Sequence, residues 1–502
     1  MADEVRRDPG AEPACTENPD DVGGQDRLTV EADIEVPPAV LVKRGWVAST
    51  FESFRYRDFT LFWSGALVSN VGTWMQNAAL AIVVFSIQPT HASLNTGIVM
   101  GVAGVPVLFL AIPAGAVADR VDRRRLLIWI QVVLLIQAAA LGILYDTKVI
   151  SPRQPLFSLV LVATLGLVAG VFVAFQGPAF QSLLPDLVPR KSLMNGIALN
   201  SAQFQSSRML GPAIVSGMVL VGASIALVFY LNALSFLFVI AALLAIRPRA
   251  AFDASHGAEA SRNPAETPPT GERTGRAMER AEAEGAWKTL LAGIEYAREH
   301  PAIGVLILST ALMTFLGFPY VTILTAIIKA TLGGTDHQVE RAFSIVYAFN
   351  GLGALIGALG VAGLPATLPR NRVIPLTLIA FSVLICAFAL SPTLGLMIAF
   401  TTLAGAAYMA TNSLVLTSIQ AAVPGYLRGR VMALFIMSFL GVMPLSAFAF
   451  GPLGQLIGPD RATLLGGVLL LAWALLLALR PSWLAEIGRP VATHAGGPPA
   501  RA

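Results

Sequence analysis

Twelve apolar runs, each about as long as a helix must be to cross a hydrocarbon core of roughly 30 Å, decide what this chain can become. They fall at approximately 59–87, 94–117, 126–146, 156–177, 196–220, 224–246, 302–328, 341–363, 373–391, 395–418, 431–457 and 462–480. Inside lipid a backbone must satisfy its own N–H and C=O groups, and a helix does this within one segment. The sequence therefore predicts an all-α integral membrane protein with twelve transmembrane helices. Composition supports this, because 13% of the residues are charged, against about 25% in ordinary soluble domains.

The runs divide six and six. Between the sixth and seventh, residues 247–300 hold the proline-rich stretch Asn263-Pro-Ala-Glu-Thr-Pro-Pro-Thr270 followed by many charges, the composition of a linker. This predicts one bundle over 51–246, a cytosolic linker over 247–300 and a second bundle over 301–480. Residues 1–50 are rich in Asp, Glu, Pro and Gly with no apolar signal-peptide core. They read as a disordered cytosolic tail, and 481–502 as a second cytosolic tail. Near the end of the linker, Trp287-Lys-Thr-Leu-Leu-Ala-Gly-Ile-Glu-Tyr-Ala-Arg-Glu299 alternates apolar and polar residues at helical spacing. That pattern predicts an amphipathic helix lying on the membrane face.

The net charge of +4 does not gather into a basic face or a nucleic-acid motif, so no nucleic-acid partner is expected. It reports sidedness instead. If both tails and the linker share one side, that side receives every Lys and Arg except Lys148, Arg153, Arg208, Lys329, Arg341 and Arg461. The positive-inside rule then makes both termini cytoplasmic. A weak repeat relates the halves: Gly211-Pro212 and Gly451-Pro452 lie 240 residues apart, and Leu187-Val-Pro189 answers Ala422-Val-Pro424. Repeated halves mark many transporters, with the substrate site between them near the bilayer midplane. Cys15 and Cys386 offer neither metal spacing nor a disulfide framework. With no nucleotide loop, catalytic triad or metal cluster in the sequence, no cofactor and no enzymatic activity are expected.

The connection between the second and third runs is a dense charged knot, Gly115-Ala-Val-Ala-Asp119-Arg120-Val-Asp122-Arg123-Arg124-Arg125. It resembles the cytoplasmic signature between spans two and three of the major facilitator superfamily, G-x-x-x-D-R-x-G-R-R-K/R, with Asp122 in place of the second glycine. A finer likeness, to the branch of enterobactin exporters and macrolide efflux pumps, rests on three stretches. These are Phe54-Arg-Tyr-Arg-Asp-Phe-Thr-Leu-Phe-Trp63, Leu184-Pro-Asp-Leu-Val-Pro189 and Asn200-Ser-Ala-Gln203 with Arg208-Met-Leu-Gly-Pro212. The resemblance implies two six-helix pseudo-repeat bundles in the major facilitator fold. It also implies that Gly115, Asp119, Arg120, Arg123 and Arg124 form a network that latches the bundles in the outward-facing state. Setting topology alone is the other reading of these arginines. Gly211 and Pro212 resemble a degenerate antiporter signature, with Gly451 and Pro452 as their counterpart; close helix packing explains them equally.

Arg208 is the sharpest single residue. It lies about 12 residues into its run, or about 18 Å at 1.5 Å per residue, too deep for its head to reach the interface easily. Apart from Asp146, the last residue of the third run, no Asp or Glu lies inside the expected runs. An intramembrane charge costs at least about 2.5 kcal/mol and marks a functional site by default. It could hold an anionic substrate group, or be satisfied by carbonyls and by Ser201 and Gln205 on the same face. Asn70, Trp74, Asn77, Gln203, Asn350, Tyr408 and Asn412 are the further candidates for substrate binding, with Phe315, Phe318, Met313 and Met437 supplying an apolar lining. Hydrogen bonding between helices is the alternative for each polar member. The expectation is a secondary transporter that exports a small amphipathic organic compound, siderophore or drug-like, across a bacterial cytoplasmic membrane. It would act as a monomer in the bilayer by alternating access, with proton antiport implied by the resemblance alone. Its rivals are an importer or lipid flippase of the same fold and a transport-inactive receptor or scaffold.

Overall fold

The computed structural model describes residues 51–189, 192–246, 293–362 and 368–487, and among these every regular element is helical. The expected tail at 1–50, the linker up to residue 292, and the expected tail at 481–502 beyond residue 487 lie outside the described residues; the described start of the last forms a short helical turn, Pro481–Leu484, with Leu484 buried. The first half runs through α1 (Arg57–Ile87), α2 (Ala92–Arg120), α3 (Arg123–Asp146), α4 (Pro155–Leu183), α5 (Leu193–Leu220) and α6 (Ile225–Ala245). The second comprises α7 (Pro301–Leu312), α8 (Pro319–Thr322), α9 (Leu324–Leu332), α10 (Asp336–Ala362), α11 (Arg370–Ala389), α12 (Leu394–Ala422), α13 (Gly425–Ile436), α14 (Val442–Ile457) and α15 (Pro459–Leu479). A π turn at Met313–Gly317 joins α7 to α8, and another at Met437–Gly441 joins α13 to α14. α7 to α9 thus form one broken crossing and α13 with α14 another, so the expected twelve crossings are present.

Eleven helices among the described residues are long and apolar enough to cross a membrane; the remaining crossing, α5, carries Asn195, Asn200, Gln203 and Arg208. Its 28 residues still span about 42 Å at 1.5 Å per residue. Its polarity has an internal destination, since it packs between α1 and α10. The outward surface is apolar instead: Trp129 is 68% exposed, Leu156 76% and Leu456 81%. A surface of that kind belongs against lipid.

The two halves repeat one packing scheme. α2 lies on α4 as α10 lies on α12, and α3 lies on α6 as α11 lies on α15. At the first crossing a Cβ on Gly170 would run into the Ala103 carbonyl; at its counterpart, Cβ atoms on Gly353 and Gly357 would run into the carbonyls of Thr402 and Ala406. The glycines let the backbones touch, as small residues do in membrane helices.

Between the halves, α2 meets α14 and α5 meets α10. Three hydrogen bonds cross there: Ser93 Oγ donates to the Gly451 carbonyl at 2.9 Å, Ser216 Oγ to the Ser344 carbonyl, and Gln455 Nε2 to the Thr90 carbonyl at 3.3 Å. All three lie toward the end where α1 gives way to α2, opposite the charged knot. Cβ atoms on Gly97 or Gly451 would collide with the facing backbone, so this seam closes main chain on main chain.

Two sequence expectations need adjustment. α10 begins at Asp336, ahead of the expected 341, which brings Glu340 into a helix expected to hold no carboxylate. The apolar pattern starts only at Ala342, so the polar first turn gave no hydropathy signal. Glu340 sits near His337, with Oε2 3.8 Å from Nδ1, and Asp336 pairs with Lys329 Nζ at 3.0 Å. Of the expected amphipathic helix, residues 293–299 are helical, and Gly293 packs beside the Arg430 carbonyl of α13.

Candidate functional site

Arg208 stands 15 residues past Leu193 on α5, about 22 Å along the axis. Four aromatic rings surround its guanidinium. The centroids of Trp74, Phe318, Tyr408 and Phe439 lie 5.7, 5.8, 5.2 and 5.4 Å from Cζ. Trp74 comes from α1, Phe318 from the residue between the first π turn and α8, Tyr408 from α12 and Phe439 from the second π turn. One ring and the cation belong to the first half, and three rings belong to the second.

The energetics of this cage leave something over. A cation–π contact contributes roughly 0.5–1 kcal/mol at exposed sites and about 2 when desolvated. Four of them therefore match the cost of at least about 2.5 kcal/mol for placing the charge in a membrane. The rings do nothing for the N–H donors, however. Arg208 Nη1 is buried with no hydrogen-bond partner, and the described residues place no carboxylate oxygen within ion-pair distance of it. The Tyr408 hydroxyl lies beside the Arg208 guanidinium, outside hydrogen-bonding geometry. A buried donor left unmet costs about 1–3 kcal/mol. An anionic group of an incoming molecule would relieve that cost.

Gly211 explains why Trp74 sits where it does. It lies one turn beyond Arg208, and a Cβ there would be 2.6 Å from Trp74 Cβ and 2.8 Å from the Met75 nitrogen. α1 and α5 thus cross backbone to backbone beside the cage. Pro212 follows, its carbonyl accepting from Ser216 Oγ at 2.7 Å. Gly451, the repeat counterpart, makes its contact across the halves against Gly97, with Pro452 next to it in α14. The packing role expected for these pairs has a geometry in both places, although the two glycines meet different partners.

The structure brings together four of the sequence-predicted residues, Arg208, Trp74, Tyr408 and Phe318 of the expected apolar lining. Gln203, on α5 before Arg208, accepts from Asn70 Nδ2 at 3.3 Å and has an unpartnered Nε2. Asn412, one turn past Tyr408, has a buried Oδ1 without a partner. Asn350 is engaged elsewhere: its Nδ2 donates to the Tyr320 hydroxyl and to the Thr401 carbonyl at 3.2 Å, tying α10 to α8 and α12. Asn77 is exposed on α1. Phe439 was not anticipated, although a signal existed, since Met437-Ser-Phe-Leu-Gly441 nearly repeats Met313-Thr-Phe-Leu-Gly317. Also unforeseen is a buried chain in the first half, in which Asn232 Nδ2 donates to Gln76 Oε1 at 2.9 Å and Gln76 Nε2 to Gln137 Oε1 at 3.2 Å.

At the charged knot, Gly115, Asp119 and Arg120 fall in the last turns of α2, and their side chains lie outside the described residues. Asp122, which stands where the superfamily has glycine, adopts φ −59° and caps α3, its carboxylate accepting from the Arg125 N–H at 2.8 Å. No left-handed residue is needed there, and an N-terminal Asp suits the helix dipole. Arg123 pairs with Asp186 at 3.0 Å and donates to the Ser182 carbonyl at 3.0 Å. Arg124 donates to the carbonyls of Leu243 and Leu244 at the end of α6, where a cation meets the negative end of the helix. These partners lie in the arginines' own half, and the expected network through Asp119 lies outside the described residues.

Solved structures show the architecture. A bacterial homologue of the human lysosomal transporter Spinster, inward-facing and occupied, aligns with a TM-score of 0.59 at 15% identity, covering 87% of this chain and 99% of that one. The nucleoside transporter NupG aligns at 0.59 with 12% identity, over 86% and 100% of the two chains. At such identities the likeness is one of fold, and that fold is the major facilitator transporter. Within this superfamily the chain belongs to the family described as transmembrane secretion effector, whose model matches residues 48–259 and 272–486. It is a multi-pass membrane transporter and not an enzyme. An enterobactin exporter of Citrobacter koseri is 23% identical over 82% of this chain and 88% of its own length. A staphyloferrin A transporter of Staphylococcus aureus is 30% identical over 30% of this chain and 36% of its own.

Proposed function

We propose that this protein exports an amphipathic organic anion of siderophore or drug-like class across a bacterial cytoplasmic membrane, by alternating access driven by proton exchange. The observation that carries this reading is the Arg208 cage: a buried cation between the halves, faced by four rings and holding an unmet N–H. Rings and cation together suit a molecule with an apolar body and one anionic group. The names of the enterobactin and staphyloferrin A relatives support the siderophore class and the outward direction.

The test is uptake into inverted vesicles under an imposed pH gradient, with enterobactin and a panel of anionic, neutral and cationic amphiphiles. Accumulation in inverted vesicles and not in right-side-out ones is expected for an exporter. Loss of one charge-assisted hydrogen bond is worth about 1.5–3 kcal/mol, so Arg208→Ala should cut uptake of the anions about ten-fold or more and spare neutral compounds. Equal uptake of every anion by wild type and variant would remove the reading.

A further inference from the structure

The first π turn lacks a donor that another span supplies. In a regular helix the Phe315 carbonyl would accept from the N–H four residues on. That residue is Pro319, which has none. The carbonyl accepts instead from Ser446 Oγ of α14 at 2.8 Å. Ser446 is 1% exposed, so water does not reach the bond, and an unmet carbonyl there would cost about 1–3 kcal/mol. Phe450, one turn after Ser446, holds the same turn through its ring, edge-on to Phe315 with centroids 5.8 Å apart. Gly466 of α15 lets that helix pass where a Cβ would meet the Leu316 carbonyl. The next residue after the turn is Phe318, one wall of the cage.

We propose that Ser446 is a positioning residue for the transport site: its hydroxyl supplies the donor that Pro319 lacks, fixes the Met313–Gly317 turn and so aims Phe318 at Arg208. α14 also starts from the second π turn, which carries Phe439. One helix therefore sets two of the four rings, one through its own beginning and one through a hydrogen bond to a neighbouring span. The inference rests on the Arg208 cage being the substrate site, but the arrangement it assigns can be measured without a substrate.

The experiment uses full-length protein labelled with 15N-arginine in lipid nanodiscs. The Arg208 Nε–H resonance, assigned by its loss in Arg208→Lys, is displaced by the ring currents around it. Ser446→Ala should move it toward the position of exposed arginines, and Ser446→Thr, which keeps the hydroxyl, should leave it in place. In inverted vesicles with enterobactin as the probe, Ser446→Ala should raise the apparent KM about three- to ten-fold with a smaller change in kcat. An unmoved resonance in folded Ser446→Ala overturns the proposal. Should that variant not fold, the double variant Ser446→Ala/Pro319→Ala decides: the new N–H at 319 should restore folded protein, and failure to do so overturns the proposal. A shifted resonance alongside anion transport indifferent to Arg208 upholds the positioning role and removes only the substrate reading.

Discussion

In the first half, Trp74 and Arg208 stand on unbroken helices of 31 and 28 residues, whereas the second half presents Phe318 and Phe439 from helices interrupted by π turns. A continuous helix fixes a side chain through its axis, and here the axes of α1 and α5 are pressed together at Gly211. A π turn fixes a side chain through its register, which a local change of one hydrogen bond can alter. Such turns recur at functional sites for that reason. The cage accordingly has a rigid wall that carries the charge and an adjustable wall that carries two of the four rings, Tyr408 standing on the unbroken α12.

Substitutions can break or sharpen this contrast. The largest effect is expected from Gly211→Val, whose side chain has no room against the Trp74 backbone; overpacking of that kind costs about 3 kcal/mol. It should appear as lost folded yield and a lower unfolding temperature in detergent, and wild-type thermal stability would show that the first wall is not held by backbone contact. Next comes Gln76→Leu, which strands Gln137 Oε1 and Asn232 Nδ2 and should destabilise by about 2 kcal/mol, while the folded fraction keeps its KM. A third test crosses to the other wall. Phe439→Leu removes one cation–π contact of about 1 kcal/mol, so apparent KM should rise about five-fold with little loss of stability; a collapse of the fold would abolish the contrast. The smallest effect belongs to Asp186→Asn. Its half-buried ion pair with Arg123 contributes less than about 1 kcal/mol, and thermal stability should scarcely change. Lost transport in that folded variant would return the pair to the latch.

What the sequence revealed follows this division. Spans of about 20 apolar residues are legible because lipid demands them, and Arg208 is legible because a lone cation in an apolar run is costly to place there. The polar stripe from Asn70 to Asn77 was harder, since the same residues serve binding and helix pairing. Asn70 proved to pair with Gln203 on α5. The partners of Arg123 and Arg124 could not be read, because they come from the ends of α4 and α6, whose positions depend on the packing of the whole bundle. The π turns carry no periodicity of their own, and with them Phe439 and Ser446 escaped notice. Asp122 shows the reverse case, in which a departure from a family motif turns out to be an ordinary helix cap.

The polarity of α5 also bears on how the chain is made. A helix that carries Arg208 midway, with Asn195, Asn200 and Gln203 before it, is poorly fitted to leave the insertion machinery for lipid by itself. Its hydrogen-bond partners wait on α1: Trp63 Nε1 donates to the Leu199 carbonyl at 2.9 Å, Asn70 Nδ2 donates to Gln203 Oε1 at 3.3 Å, and the Leu67 carbonyl accepts from Ser207 Oγ at 3.4 Å. α1 is synthesised long before α5, so the partner is already in the bilayer when the difficult segment emerges. Entry of α5 becomes an act of assembly, and deleting α1 should leave it stranded outside the membrane, as a glycosylation-site reporter placed after Leu220 would register.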